Sequence, residues 1–358
     1  MFNSILLTVV SVLLFSLVIF LHELGHFLTA KWAGVRVNEF AIGMGPAIFK
    51  KQKGETLYAI RLLPLGGYCS MEGEDTESDS EDAFGKKPVY KRMIIVAAGA
   101  IMNLILGVVF MVVVLAQQPQ FASTTVSSFA ADSLTNQTGL QVGDVIKEMD
   151  GYKVSTYTDI GFVMAINKNM KADIVVERNG EVITLNDVQF ATREAEDGKT
   201  VVVRDFYLSP IQKNLWTITT QTFKEIVSNV RMIYATIIGL VTGRISVREV
   251  SGPVGMVSMI SSAASEGLKT NMVAALNNIL NVMMVFTVNL GIFNLLPIPA
   301  LDGGRLIFLI IEAIKGKPLL PKYEGIVHAI GFVILILLML LVSVNDVMRL
   351  FSEKGLTG

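Results

Sequence analysis

Four stretches of the chain run uncharged for long enough to cross a bilayer, and the segments between them change period. Residues 5–21 carry no charged side chain and continue at helical spacing to Ala30. Residues 93–116 form a second run, introduced by Lys86, Lys87, Lys91 and Arg92; 274–296 is the third and 326–344 the last. A helix rises about 1.5 Å per residue, so about 20 apolar residues cover a hydrocarbon layer of about 30 Å. The pattern predicts a multi-pass α-helical membrane protein with about four transmembrane helices. The first run reads as a span and not a secretory signal: no basic stretch precedes it, and a polar motif stands where a small-residue cleavage site would close it.

From 38 to 71 the helical period gives way to short β-like runs punctuated by glycine, Phe40 to Pro46 and Thr56 to Tyr68. They predict one or two hairpins, re-entrant in the membrane if protein buries them or they line a wet cavity. Such an edge strand can hold a substrate segment extended; a cytosolic loop packed on the membrane fits the same residues equally well. Residues 72–82 carry seven acidic side chains and read as a solvated loop.

The composition turns soluble over 117–209. Gly139, Gly143 and Asp150-Gly151 mark turns around a buried strand, a helical stretch follows near 157–167, and Asn179-Gly180 joins two alternating strands as a two-residue hairpin turn. This is a small mixed α/β module inserted between membrane halves, and it resembles a PDZ domain of the circularly permuted bacterial type. That likeness implies peptide capture by strand addition. Residues 216–233 then read as an amphipathic helix on the membrane surface; 232–260 stays open between a surface helix and a re-entrant segment. The domains expected are thus 1–116, the first half of a membrane core; 117–209, an extracytoplasmic PDZ domain; 210–260, a membrane-surface segment; and 261–358, the second half of the core.

Composition agrees with the pattern: 52% of the 358 residues are hydrophobic and 17% charged. The net charge of −1 argues against a nucleic-acid partner. The single Cys69 excludes an intrachain disulfide and a Cys-x-x-Cys metal site.

The candidate chemistry lies in His22-Glu23-Leu24-Gly25-His26, which holds two of the three histidines. Residues four apart share a helix face, so His22 and His26 present both imidazoles together, as zinc ligands do. Glu23 stands beside them, off that line, where it can take a proton from water. Lys31 follows His22 by nine residues, about 13 Å, which puts the motif inside the membrane near one face. Catalytic zinc takes three protein ligands. A further histidine six residues on would suit one soluble class, but Trp32 occupies that position; another class needs a carboxylate on a helix some way downstream, and Ile42-Gly-Met-Gly-Pro46 offers neither carboxylate nor helix. Asp302, after the third span and before Gly303-Gly304, is the candidate left; a plain Asp-Gly turn is the other reading of it. His328 reads as a satisfied interface histidine.

Taken together, His22-Glu-Leu-Gly-His26, Gly43-Met-Gly45, Pro64-Leu-Gly-Gly-Tyr68, the inserted module and Asn294-Leu-Leu-Pro-Ile-Pro-Ala-Leu-Asp-Gly303 resemble the site-2 protease family of intramembrane zinc metalloproteases. The nearest branch is the bacterial regulator-of-sigma-E type, here with one PDZ domain and not two. The resemblance implies that His22, His26 and Asp302 bind one Zn2+ and that Glu23 is the general base. It also implies that Asn289, Asn294 and Pro297 position the substrate, and that the loop with Gly43 and Gly45 lines its path. Partners would be single-span membrane proteins or peptides, such as anti-sigma factors or signal-peptide remnants, and the bilayer itself. A zinc transporter or sensor shares the histidines without needing Glu23, and a peptide-binding scaffold would need only the module. The loop Lys and Arg concentrate between Lys31 and Arg92 and between Arg305 and Lys322. That charge distribution puts the active site near the cytoplasmic face of a bacterial plasma membrane, with both termini and the PDZ domain outside.

Overall fold

A computed structural model describes residues 2–74, 78–194, 200–246, 252–317 and 321–355. The chain divides into two compact units, Met1–Phe110 with Ser246–Gly358, and Met111–Ile245.

The first unit is built on helices. In chain order it contains α1 (Phe2–Ala33), strands β1 (Val37–Lys53) and β2 (Thr56–Met71), a 3-10 turn at Phe84–Lys86, and most of α2 (Val89–Gln117). After the second unit come α6 (Pro253–Leu268), α7 (Met272–Leu295), α8 (Asp302–Lys315) and α9 (Pro321–Gly355). Among the described residues, four helices are long and apolar enough to cross a membrane: Val12–Ala33, Val89–Gln117, Met272–Leu295 and Glu324–Met348. The expected number holds, with ends shifted by a few residues. Much of their apolar surface faces outward, as on α9 at Phe332, Leu337 and Leu341, each more than half exposed. In water that would be untenable; in lipid it is the ordinary outer face of a span.

Helix α2 sits against two others through small residues, which let backbones approach. A Cβ on Gly25 of α1 would stand 2.5 Å from the Ala98 carbonyl oxygen, and one on Gly107 would stand 2.4 Å from Val288 of α7. Between these crossings the Thr287 hydroxyl donates to the Asn103 carbonyl at 3.2 Å.

The β region is more folded back than one or two plain hairpins. Phe40, Ala41 and Ile42 each pair on one side with Cys69, Tyr68 and Gly67, and on the other with Tyr58, Ala59 and Ile60. Residues 47–53 in turn run beside 56–61. The two long strands therefore make four segments, and the reversals fall at left-handed glycines: Gly43 and Gly45 at φ of 85° and 86°, and Gly66 at 83°. Met44, Ile48, Phe49, Leu62 and Leu63 stay more than half exposed on this ribbon.

The acidic stretch is less loose than its composition suggests. Glu72 accepts from Asn38 at 2.8 Å and from Ser78 at 2.6 Å, and those bonds hold its carboxyl below the usual range. Glu74 pairs with Arg305 at the start of α8. The reading of 72–82 as merely solvated is corrected to that extent; 75–77 lie outside the described residues.

The second unit carries a sheet in the order β10-β3-β4-β6-β7, with β5 hydrogen-bonded to β4 and a separate β8-β9 hairpin. Its elements are β3 (Gln120–Phe129), α3 (Leu134–Gln137), β4 (Val145–Met149), β5 (Tyr152–Lys153) and α4 (Tyr157–Ile166). They continue with β6 (Lys171–Arg178), β7 (Glu181–Gln189), β8 (Ala191–Glu194), β9 (Thr200–Val203), β10 (Phe206–Gln212) and α5 (Leu215–Val241). The hairpin at Asn179-Gly180 forms as its sequence requires, with Arg178 opposite Glu181 and both turn residues at positive φ. Leu140, Ile146, Met149, Ile160, Ile174, Val176 and Phe206 fill its core.

Where the sequence suggested a helix over 216–233 and then a short apolar run, α5 is one continuous helix of 27 residues. Its polarity is inverted. Ser228, fully buried, donates to Asp159 at 2.5 Å, and Arg231 reaches Asp159 at 3.2 Å and the Lys153 carbonyl at 2.9 Å. Trp216 and Phe223 are 75% and 69% exposed.

Candidate metal centre

The His22-x3-His26 spacing puts both imidazoles on one face of α1, where each is 8% exposed. Their Nε2 atoms lie 3.2 Å apart. Asp302 Oδ2 completes the group at 3.3 Å from His22 Nε2 and 3.4 Å from His26 Nε2. Among the described residues this is the one cluster of three histidine, cysteine or acidic side chains arranged to hold a metal ion. Although two ring nitrogens are this near, Asp302 Oδ2 is buried and makes no hydrogen bond of acceptable geometry. The three atoms converge on a common point and not on one another.

Asp302 reaches that point because of the turn before it. Ala300 adopts φ of 75°, and its N–H donates to His328 Nδ1 at 2.9 Å, so the third histidine serves the fold as an interface residue. The following glycines act through closeness, not through a bend: both lie in the first turn of α8. A Cβ on Gly303 would stand 2.1 Å from the Leu296 carbonyl oxygen, and one on Gly304 would stand 2.5 Å from that of Ile298. Arg92 of α2 grips Glu312 with two guanidinium nitrogens at 2.5 and 3.0 Å, which ties α8 to the helix beneath the histidines.

Glu23 is half-buried beside the cluster. A Cβ on Gly67 would stand 3.4 Å from Glu23 Cγ, so the 67–71 segment runs along the site. Of the expected positioning residues, Asn294 comes close: its amide nitrogen stands 3.4 Å from His22 Nε2. Asn289 lies five residues earlier on α7, about 140° round the helix from Asn294, so the two asparagines do not share a face. Pro297 is exposed just after α7, and Gly43 and Gly45 sit at the reversal of β1.

Three supports escaped the sequence reading, all on α2 at four-residue steps. The Ile95 carbonyl lies 2.8 Å from His26 Nδ1. A Cβ on Gly99 would stand 2.3 Å from His26 Nε2 and 2.7 Å from His22 Cε1. Asn103, fully buried, puts its amide nitrogen 3.2 Å from His22 Nδ1. The signal available was a Gly-x3-Asn step inside an apolar run, which alone reads as helix packing.

Comparison with known proteins bears directly on this arrangement. The pattern of Peptidase family M50 matches residues 10–338. A Clostridium acetobutylicum protein with a provisional zinc-metalloprotease name is 36% identical, covering 95% of this chain and 96% of its own length. The regulator of sigma-W protease RasP of Bacillus subtilis is 32% identical over 95% of this chain and 98% of its own, and the zinc metalloprotease RasP of Shouchella clausii is 31% identical over the same shares. With buried histidines, a carboxylate and a family match over nearly its whole length, the chain belongs to peptidase family M50, the site-2 proteases, and is a zinc metalloprotease of the membrane.

Proposed function

We propose that His22, His26 and Asp302 hold the zinc ion, that Glu23 is the general base, and that the protein hydrolyses peptide bonds in or beside the transmembrane segment of single-span substrates. The observation that carries this reading is the triangle of His22 Nε2, His26 Nε2 and Asp302 Oδ2, with edges of 3.2, 3.3 and 3.4 Å. Ligands at three corners of a tetrahedron with bonds of about 2.0–2.2 Å stand about 3.3–3.6 Å apart, so the donor set suits zinc. The cradle left by the missing Gly99 side chain and the unpartnered Asp302 oxygen fit it too.

Zinc bound there supplies Lewis acidity, polarising the scissile carbonyl and acidifying water toward a pKa of about 7. Glu23, held against the 67–71 segment, takes a proton from the attacking water and passes it to the leaving amine. Asn294, within reach of the same point, orients the substrate. A helix hides its peptide bonds in its own hydrogen bonds, so a substrate must open before attack. The ribbon of β1 and β2, with Gly43 and Gly45 at its reversal, offers backbone groups to hold the opened segment by strand pairing; Asn289 and Pro297 complete the path from the α7 side.

The second unit acts as a PDZ domain that screens peptides before they reach the site. Substrates are membrane proteins already shortened outside the bilayer, anti-sigma factors or signal-peptide remnants among them; one relative is named for regulating sigma-W. The protein resides in a bacterial plasma membrane, with termini and PDZ domain outside and zinc near the cytoplasmic face. Glu23→Gln tests the mechanism: bound zinc should stay stoichiometric while cleavage of a single-span reporter is lost, and unchanged turnover would refute the proposal. A cysteine placed in 120–212 should react with an impermeant reagent in intact cells; protection there would overturn the orientation.

A further inference from the structure

The two imidazoles are held from behind by different chemistry. His26 Nδ1 faces the Ile95 carbonyl, which can only accept, so that nitrogen carries the ring proton and Nε2 keeps its lone pair. His22 Nδ1 instead faces an amide, which can donate or accept according to which end is turned toward it. With the Asn103 nitrogen toward the ring, Nδ1 accepts and Nε2 carries the proton. In that arrangement Asn103 Oδ1 is buried with no hydrogen-bond partner. A metal on Nε2 needs the opposite tautomer, with the proton on Nδ1. Half a turn of the amide brings Oδ1 round to accept it.

We infer that Asn103 is the positioning residue for His22, and that by turning end for end it supports first the metal-free tautomer and then the zinc-binding one. The inference rests on the reading of His22 as a zinc ligand. Asn103 lies on a well-fixed stretch of α2: Thr287 donates to its backbone carbonyl, and four residues earlier Gly99 leaves the room into which both rings project. Replacing the side chain leaves those backbone contacts in place, so the amide's contribution can be read separately from helix packing.

The test is a Co2+ titration of the purified full chain in detergent against a competing chelator, following the visible absorption of the bound ion. Asn103→Leu removes both donor and acceptor and should weaken metal binding about 10- to 100-fold. Asn103→Asp keeps only an acceptor, the end the metal-bound tautomer uses, and should bind at least as tightly as the wild type. Wild-type affinity in Asn103→Leu overturns the inference, and so does an Asn103→Asp variant that binds weakly, whether or not the leucine variant folds. His22→Ala, measured alongside, should lose the metal. If it binds as the wild type does, the zinc-site reading itself fails; if it loses metal while Asn103→Leu does not, only the role of Asn103 is refuted.

Discussion

Gly99 lies so close to His26 that a single added methyl group would stand 2.3 Å from Nε2. Alanine is favoured over glycine in a helix by about 1 kcal/mol, so Gly99→Ala should leave α2 helical or improve it. The rings have to move, since the atoms the new methyl would meet are His26 Nε2 and Cε1 and His22 Cε1 on α1. We expect zinc per chain to fall well below one and cleavage to vanish, with the circular dichroism unchanged. Gly161→Ala, where a Cβ meets nothing within 4 Å, should alter neither. Full zinc occupancy in Gly99→Ala would refute the cradle.

The extent to which the site could be read from the sequence follows the same division. His22, Glu23 and His26 are a local constellation, set by one turn of helix, and their spacing was enough. Asp302 lies 276 residues beyond His26, and only the joint occurrence of the two motifs connects them. Gly99 and Asn103 were invisible as functional residues because their contribution is negative or lateral: one makes room, the other touches only the back of a ring. The β ribbon was foreseen, but its double pairing was not, since nothing local distinguishes one fold-back from two. Helix α5 was read short because apolar periodicity locates the outward face, and here the polar face is the buried one.

Asp302 offers the second prediction. As the first residue of α8 it contributes little to helix packing, so Asp302→Ala should cost little in stability and much in metal. Zinc content after dialysis is the measurement, with Asp302→Asn as the companion that keeps the shape and drops the charge. Both should lose metal; stoichiometric zinc in either would remove this residue from the ligand set.

A third prediction concerns the clamp between α2 and α8. Arg92 and Glu312 are 11% and 12% exposed, so removing one strands the other in a poorly solvated place. The cost of breaking a buried pair from one side is about 3–5 kcal/mol, whereas replacing both partners with apolar residues is often neutral. Arg92→Leu should therefore lower the thermal midpoint in detergent sharply, and Arg92→Leu with Glu312→Leu should recover most of it. An additive double variant would show that the two residues act independently.

The last prediction is about acid and the seating of α5. Glu225 is 5% exposed, and burial pushes its carboxyl above the ordinary range; hydrogen bonds with Thr158 and Gln221 oppose this, while the charge of Asp159 adds to it. α5 is not among the candidate spans. A carboxyl whose folded pKa lies above its unfolded one favours the protonated form in the folded state. The stability that the neutral form contributes is fully present below the unfolded value, about 4.3, and is lost as pH rises through the folded value. At neutral pH the titratable carboxyl is therefore a burden on the contact between α4 and α5. Glu225→Gln keeps an oxygen to accept from Gln221, 3.0 Å away in the wild type, and removes the charge. Hydrogen exchange of α4 and α5 amides, corrected for the intrinsic rate, should be slower in the variant than in the wild type at neutral pH. The two should converge as the pH falls toward 4, where the wild-type carboxyl is itself neutral. If the variant exchanges as fast as the wild type at neutral pH, the buried charge is not what loosens α5.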